Sequence, residues 1–373
     1  MIINAKKVYT GEDILVNKKI IIENKSIMAI KDSNEKSDDI VIPGFIDIHN
    51  HGGYGIDYLE SDLKQFELLQ KKQALEGITS MIATIGLSTI EKMTKGILKV
   101  DEYIKNKNTT GTKILGIHLE GPYLSPKYMG VMDKNLVKND IEILNYWISI
   151  TKNIKIMTLA IEEDKEFKIL KTLIKNNIIA SAGHSNSNTQ IMLKAKKIGL
   201  DQVTHLFNAM RPLHHRELGI LGIGLCDDDF YAEMAGCDML SIDPLVWKMV
   251  YRTKTSNKII LTTDALTLKG LGDGRYNYMG HKLNIIDGFC YTDYNGSCRL
   301  PGKPMTFIDS IKNVIKCTNA SLEDIVKMSS VNPSKRLKLE KKGKLLPGFD
   351  ADISIIDEKI NIKKVIIEGK EYR

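Results

Sequence analysis

The strongest constraint on the fold is an alternation of apolar, strand-like runs with helical patterns between residues 43 and 338. Most runs are apolar throughout, which is typical of parallel strands covered on both faces. We predict strands at 44–49, 79–85, 114–120, 154–161, 178–184, 202–208, 230–236 and 258–264, and helices at 63–75, 90–104, 140–148, 166–175, 189–197 and from Pro244 onward. Eight such units indicate an α/β fold of the (β/α)8 TIM-barrel type; an open doubly wound sheet is the alternative.

The two ends of the chain differ from this central part. Residues 1–42 and 339–373 contain short β-rich pieces, and neither end carries enough apolar residues to fold alone. We therefore predict that they pair into one small β-sandwich domain beside a barrel of residues 43–338. The stretch from Gly270 to Gly302 is rich in Gly, Asp, Asn and Tyr, which predicts a hairpin insertion or a loop over the site.

Composition excludes several classes of protein. With 43% hydrophobic residues among 373, the chain can bury a core, so wholesale disorder is excluded. The net charge of +7 is spread along the chain, so no nucleic-acid partner is expected. No apolar run reaches the ~18 residues of a membrane span, and we expect neither a membrane association nor a signal peptide. Five cysteines without a CxxC spacing suit a reducing compartment, and we expect a cytoplasmic protein.

Side chains that can bind a metal ion fall at the C-terminal ends of five predicted strands. They are His49 and His51 on the first strand, Glu120 on the third, His184 on the fifth, His205 on the sixth and Asp264 on the eighth. In a (β/α)8 barrel these ends meet at one mouth. A lone strand histidine is more often structural, but four of the 8 histidines lie here. Nitrogen and carboxylate ligands suit zinc or iron, so we predict a catalytic divalent-metal centre.

Characteristic motifs contain these residues. In chain order they are PGFIDIHNHGGYG (43–55), HLEGPYLSP (118–126), AGHSNS (182–187), THLFNAM (204–210), LTTDA (261–265) and LPGFDADI (346–353). Together they resemble the N-acetylglucosamine-6-phosphate deacetylases of the amidohydrolase superfamily. HLEGP combined with THLFNAM is specific to this family, whereas His-x-His and the late Asp belong to the wider superfamily. The resemblance implies a metal-bearing (β/α)8 barrel with a small β domain made from both termini.

The resemblance also implies roles at the metal centre. Glu120, His184 and His205 would hold the main ion. A second ion is implied at His49 and His51, because family members that keep both histidines can bind two. Asp264 would be the general acid/base and lies among the candidate ligands. One or two ions are therefore expected.

Substrate contacts are implied at further positions. Asn208 and Ala209 match residues that line the family's substrate pocket. The segment containing His215 and Arg216 matches one whose arginine binds phosphate and, in family dimers, can reach a neighbouring subunit's site. A homodimer is thus implied. Lys303 is a second candidate for the phosphate. The alternatives are a surface ion pair of Arg216 with its neighbour Glu217 and a solvated charge at Lys303.

Two departures from the family pattern concern specificity. Met132 and Ser241 stand where the family has histidines that contact the sugar. We therefore predict a metal-dependent hydrolase that removes the N-acetyl group of an amino sugar phosphate, with N-acetylglucosamine 6-phosphate as the first candidate. N-acetylgalactosamine 6-phosphate is an alternative substrate. A cyclic-amide hydrolase, a deaminase or a non-catalytic binding protein are alternative functions.

Overall fold

The computed structural model describes residues 1–106, 109–130, 132–278, 281–292 and 304–372. Within them, the central sheet has eight parallel strands whose spatial order follows their order in the chain. The strands are Phe45–Asn50, Ile78–Ile85, Lys113–Glu120, Ile154–Leu159, Ile179–Ala182, Gln202–Val203, Tyr231–Ala235 and Ile259–Thr262. Each overlaps a predicted strand, and the predicted (β/α)8 architecture is confirmed.

The first and last strands meet and close the sheet into a barrel. The main-chain N–H of Asp264 donates to the carbonyl oxygen of His49 at 2.9 Å, and that of His51 donates to the carbonyl oxygen of Ala265 at 2.9 Å. An open doubly wound sheet would leave these two edges apart, so that alternative is excluded. The same two contacts bring the ends of both strands, with their candidate ligands, to one place.

The barrel interior is filled with side chains on the N-terminal side of the ligand positions. Buried residues of five strands form one apolar cluster there: Ile46, Ile48, Ile82, Ile156, Tyr231 and Ile260. Further along the strands come hydrogen-bonded polar groups. His118 Nε2 lies 2.8 Å from Thr158 Oγ1, which lies 2.8 Å from Thr204 Oγ1. Because this interior is packed, the site can open only at the C-terminal mouth.

Helices cover the outside of the barrel. The α-helices are Leu63–Ala74, Ile90–Lys105, Ile141–Ile150, Lys168–Lys175, Thr189–Ile198, Gly219–Cys226, Pro244–Lys254, Phe307–Thr318, Leu322–Val326 and Asn332–Arg336, with a π-helical turn at Lys327–Val331 and 3₁₀ turns at Lys134–Leu136, Ile161–Glu163 and Lys165–Phe167. Asp243 caps the helix that begins at Pro244, as its sequence predicts. Gly219–Cys226 was not predicted because it is apolar on every face and almost wholly buried. None of the described helices is long and apolar enough to cross a membrane.

Strands from both termini form a separate sheet. Its strands are Ile2–Tyr9, Ile14–Glu23, Ser26–Asp32, Ile40–Pro43, Ile353–Ile356, Ile362–Ile367 and Lys370–Glu371. The sequence predicted a β-sandwich, and within the described residues these strands are hydrogen-bonded into one continuous sheet of seven. Ile40–Pro43 joins the two ends, because it pairs in parallel with Ile2–Tyr9 and antiparallel with Ile353–Ile356. Apolar side chains from both ends, including Val8 and Ile353, form its own cluster.

An insertion follows the last barrel strand. It contains an antiparallel sheet of Gly274–Tyr278, His281–Ile286 and Phe289–Thr292, so this part of the predicted segment is β-structured. A short pair, Gly52–Gly53 with Ile56–Asp57, lies after the first barrel strand. Gly52 has φ +147°, and a Cβ there would lie 2.0 Å from the Ile56 carbonyl oxygen, so only glycine fits. Lys303, predicted at the phosphate, lies outside the described residues.

Candidate metal centre and active site

Two histidines at the end of the first barrel strand point to the same place. Phe45–Asn50 is buried throughout, and its pairing with the second strand shifts register between Asp47 and Asn50. The Nε2 atoms of His49 and His51 lie 3.1 Å apart. Both rings therefore project into the mouth of the barrel, where the other strands end.

Glu120 connects the histidines of the mouth. Its Oε1 lies 3.1 Å from His184 Nε2 and 3.1 Å from His205 Nε2. Its other oxygen, Oε2, lies 3.3 Å from His51 Nε2. Oε1 also lies 3.6 Å from His49 Nε2, so the carboxylate contacts all four histidines of the mouth.

All six predicted ligands converge into two groups that could each hold a metal ion. The first consists of Glu120, His184 and His205, and the second of His49, His51 and Asp264; within each group the ligand atoms lie within 4.8 Å of one another. Ligands that share one ion at ~2.0–2.2 Å lie about 3 Å apart, which is the spacing of the nitrogens here. Imidazole nitrogens and carboxylate oxygens are ligands of divalent transition metals, so the donor set fits such an ion.

Buried carboxylates make the mouth of the barrel electrostatically favourable for cations. Burial lowers the pKa of His49, but Asp264, Glu233 and Glu120 outweigh it and raise that pKa to about 10. Burial also lowers the pKa of His51. Hydrogen bonds to Asp264 and Glu120 outweigh this effect and raise that pKa to about 9. The carboxylates therefore create a negative field in a buried space, which favours a divalent cation.

Hydrogen bonds at the far ring nitrogens orient two of the histidines. Nδ1 of His184 donates to the carbonyl oxygen of Tyr128 at 2.8 Å, and Nδ1 of His49 donates to Glu233 Oε1 at 2.6 Å. Each bond leaves Nε2 directed at the site, which is the arrangement of ligand histidines. Neither partner was predicted. The sequence does contain a signal for Glu233, which is a glutamate inside the apolar run FYAEMAG (230–236). It contains no signal for the Tyr128 carbonyl oxygen, because every residue has a main-chain oxygen.

Asp264 is the accessible carboxylate of the centre. Its side chain is 26% exposed, compared with 3% for Glu120. Its Oδ1 lies 3.3 Å from His49 Nε2 and 3.5 Å from His51 Nε2. Burial raises its pKa, but His49 and His51 outweigh that effect and the pKa is lowered. Asp264 is thus an ionised group that both the ligands and a substrate can reach.

A buried network beneath Asp264 fixes its main chain. Thr263 donates its hydroxyl to Asp47 Oδ2 at 2.6 Å and its main-chain N–H to Asp47 Oδ1 at 3.1 Å. Asn50 donates to the same carboxylate at 2.9 Å. Asp264 itself adopts φ +47°, an uncommon conformation for a residue with a side chain. These bonds hold that conformation in place.

The predicted substrate residues lie at different depths. Asn208 and Ala209 are half-buried, and Met132 and Ser241 are half-buried as well. A Cβ added at Gly130 would lie 3.6 Å from His184 Cε1 and 3.9 Å from Ala209 Cβ, so the chain just before Met132 approaches the centre. The Ser241 hydroxyl donates to Asp238 Oδ2 at 2.6 Å.

His215 and Arg216 lie on an exposed loop. Glu217 does not pair with Arg216 in the described part of the chain. It accepts instead from the main-chain N–H groups of Thr189, at 2.8 Å, and Gly219, at 3.2 Å. The structure therefore does not show the ion pair of Arg216 with Glu217 that was the alternative.

The chain has a closed parallel barrel, metal-capable ligands at its mouth and a terminal β domain. This is the architecture of the metal-dependent hydrolases of the amidohydrolase family. The sequence model of that family matches residues 40–372. The N-acetylglucosamine-6-phosphate deacetylase of Bacillus subtilis (strain 168) is 33% identical over 344 residues, covering 91% of this chain and 86% of that protein. Within the amidohydrolase family, the chain belongs to the N-acetylglucosamine-6-phosphate deacetylases, and the resemblance seen in its motifs is confirmed.

Two further comparisons extend this finding. The crystal structure of N-acetylglucosamine-6-phosphate deacetylase from Thermotoga maritima superimposes with a TM-score of 0.91 at 30% identity, covering 100% of this chain and 99% of that one. The N-acetylgalactosamine-6-phosphate deacetylase of Escherichia coli O157:H7 is 27% identical, over 99% of this chain and 98% of that protein. Relatives named for two different sugars therefore align along nearly the whole chain.

Proposed function

We propose that this protein hydrolyses N-acetylglucosamine 6-phosphate to glucosamine 6-phosphate and acetate. The proposal rests on one observation: both ligand groups lie at the same barrel mouth, and Asp264 of the second group is accessible there. The names of the relatives support the substrate. The reaction cleaves the C–N bond of the acetamide, adds water across it, and needs a base for the water and an acid for the amine.

Glu120, His184 and His205 would hold the main ion, and His49 and His51 with Asp264 would hold a second, with zinc or iron as the proposed metal. When bound, a divalent ion supplies Lewis acidity and lowers the pKa of water to about 7. Glu120 contributes the buried negative charge that the ion requires. Burial raises the pKa of Glu120, but contacts with His184, His205 and His51 outweigh it and hold that pKa well below its usual range.

Asp264 would transfer the proton. Because its lowered pKa keeps it ionised, it can accept a proton from the attacking water and deliver it to the nitrogen of the departing amine. A positioned acid/base contributes roughly 10²–10⁴-fold to such a reaction. The fixed conformation of Asp264, held by the bonds of Thr263 to Asp47, keeps the carboxylate in position through both transfers.

Replacement of the proton carrier tests this role. We expect Asp264→Asn to lower kcat for acetate release by at least about 10²-fold, because the amide cannot accept the proton. Metal content, measured by plasma mass spectrometry, should stay near normal at the main site. Asp228→Asn is the matched control, since Asp228 is exposed and precedes the strand Tyr231–Ala235, at the end of the barrel opposite to the ligands. Wild-type turnover in Asp264→Asn would remove Asp264 from the mechanism.

Arg216 would bind the phosphate, with His215 beside it and Lys303 as a second candidate. An arginine offers a planar fork that matches phosphate oxygens. Loss of a charge-assisted hydrogen bond costs about 1.5–3 kcal/mol. We therefore expect Arg216→Met to raise KM for the phosphorylated sugar by about 10–100-fold and to leave the unphosphorylated sugar unaffected. The exposed Arg252 provides the control Arg252→Met. Equal effects on both sugars would contradict the phosphate role.

The same variant tests the proposed homodimer. If Arg216 serves the partner subunit's site, a heterodimer of Arg216→Met and Asp264→Asn chains contains one intact site. Assayed at a substrate concentration well below the raised KM, where each variant alone has little activity, an equilibrated equal mixture of the two variants should then recover about a quarter of the wild-type sites. Failure to recover activity, with dimers present by sedimentation, would place Arg216 in the site of its own chain.

N-acetylgalactosamine 6-phosphate deacetylation is the second candidate function. Met132 and Ser241 replace the two sugar-contacting histidines of the family pattern, and the Ser241 hydroxyl is bonded to Asp238. A relative named for that sugar aligns over 99% of this chain. The two sugar phosphates differ only in the orientation of one hydroxyl. Measurement of kcat/KM for each of them therefore decides between the two candidate functions.

A further inference from the structure

Glu233 is a buried carboxylate for which the proposed mechanism has no step. It lies in the middle of the barrel strand Tyr231–Ala235, whose other residues are apolar, and its side chain has no exposed surface. In the described part of the chain, no lysine or arginine forms an ion pair with it. Its ion-pair partner is His49, at 2.6 Å. Once His49 binds an ion through Nε2 its imidazole is neutral, so the buried carboxylate then requires another source of compensating charge.

Its contacts reach both groups of candidate ligands. Glu233 Oε1 accepts from His49 Nδ1 at 2.6 Å, and the same oxygen lies 3.4 Å from the main-chain nitrogen of His205. The carbonyl oxygen of Glu233 accepts from the N–H of Leu206 at 2.8 Å. His49 belongs to one ligand group and His205 to the other. No other carboxylate outside the two groups is bonded to a ligand ring nitrogen in the described residues.

Two unpaired atoms lie in the same region. Glu233 Oε2 and His205 Nδ1 are both buried, and neither has a hydrogen-bond partner among the described residues. Unpaired buried polar atoms are rare and costly. Glu233 Oε2 is a hydrogen-bond acceptor. His205 Nδ1 becomes a donor when His205 Nε2 binds an ion, so the two atoms are then complementary.

We propose that Glu233 is a positioning residue shared by both metal groups. It fixes the His49 tautomer through Oε1. Through Oε2, directly or by one water, it accepts a hydrogen bond from the Nδ1–H of His205 once an ion is bound at Nε2. Its charge is compensated by the ions themselves through the two imidazoles. The inference rests on the proposed metal-dependent function.

Metal titration of the apoprotein tests the proposal without reference to turnover. Outer carboxylates of this kind change metal affinity by about 10–100-fold when removed. We expect Glu233→Leu to weaken binding of Co²⁺ to both groups by that factor, followed by absorbance and by metal analysis. Glu233→Gln can still accept from His49 Nδ1, so it should keep two ions with an intermediate affinity.

A matched control separates positioning from general destabilisation. Asp352 is also a buried carboxyl, 4% exposed, but it pairs with Lys342 beside the terminal sheet. Asp352→Asn should therefore lower stability and leave Co²⁺ affinity at the wild-type value. If Glu233→Leu does not fold, Glu233→Asp takes its place in the titration. The shorter side chain withdraws the carboxylate from His49, so we again expect weaker Co²⁺ binding to both groups.

The outcomes are distinct. Wild-type affinity for both ions in Glu233→Leu or Glu233→Asp would overturn the proposal, and so would weakening confined to the group of His49. Weakening of both groups with the order wild type, Gln, Leu supports it. Because the titration does not involve the sugar, a failure of the deacetylase assignment would appear only in the substrate assay of the wild-type protein.

Discussion

Replacement of Lys269 by methionine should destabilise the protein strongly. Lys269 follows Asp264 by five residues, is 1% exposed, and holds its Nζ 3.0 Å from Glu76 Oε1. Glu76 is 4% exposed. Methionine keeps most of the volume of the lysine stem, so the change removes the charge and little of the packing. It leaves the Glu76 carboxylate buried without its cation.

The magnitude follows from what remains around Glu76. Breaking a buried ion pair by removing one partner costs about 3–5 kcal/mol. Glu76 still accepts from Tyr54 Oη at 2.7 Å and from the main-chain N–H of Phe307 at 3.1 Å, and these bonds stabilise the residual charge. We therefore expect the lower end, about 3 kcal/mol. The double variant Lys269→Met with Glu76→Gln should recover most of the loss, since no buried charge is left.

Urea unfolding followed by tryptophan fluorescence measures this loss. Lys95→Met is the control, because Lys95 and its partner Glu91 are 67% and 76% exposed. An exposed pair contributes about 0–1 kcal/mol, so the control should unfold near the wild-type midpoint. A loss below about 1 kcal/mol in Lys269→Met, or no recovery in the double variant, would refute the reasoning that the pair compensates a buried charge.

Two further predictions concern other parts of the barrel. Gly183→Ala places a Cβ 2.8 Å from side-chain atoms of Thr158 and Thr204, so it should cost about 1–3 kcal/mol. It should also displace His184, which would be seen as weaker Co²⁺ binding. Burial raises the pKa of Asp324, but hydrogen bonds from three hydroxyl groups outweigh it and lower that pKa. A folded-state pKa below the unfolded value of about 3.9 gives stability that is present above that pH and lost as the pH falls further. Asp324→Asn should therefore lose less stability between pH 6 and pH 3 in urea melts, and identical losses would contradict this.

Sequence patterns located the barrel because strand burial is a local property of parallel sheets. Runs of apolar residues such as IIASAGH (178–184) mark strands covered on both faces, and the structure has Ile179–Ala182 there. The helix Gly219–Cys226 escaped prediction because a fully buried helix has no polar face to give a 3.6-residue period. Strand ends were less well predicted, since tertiary contacts terminate them: residues 202–208 were predicted, and only Gln202–Val203 forms a strand.

The candidate ligands could be predicted from sequence because the barrel topology fixes where strand ends meet. Their separation into two groups, with Glu120 facing both, could not, since it depends on which carboxylate oxygen faces which ring. The roles of Met132, Ser241 and Arg216 toward the sugar phosphate remain predictions.

The sequence by itself determined the succession of the eight barrel strands, the chemistry available at the strand ends and the family. Only the tertiary structure decided which groups outside the motifs support that chemistry. Glu233 reaches His49 across the barrel interior, 184 residues earlier in the chain, and Lys269 meets Glu76 at a separation of 193 residues. Such contacts leave no periodicity in the sequence. They arise because closure of the barrel brings buried charges together, where the low polarity of the interior requires each one to have a partner.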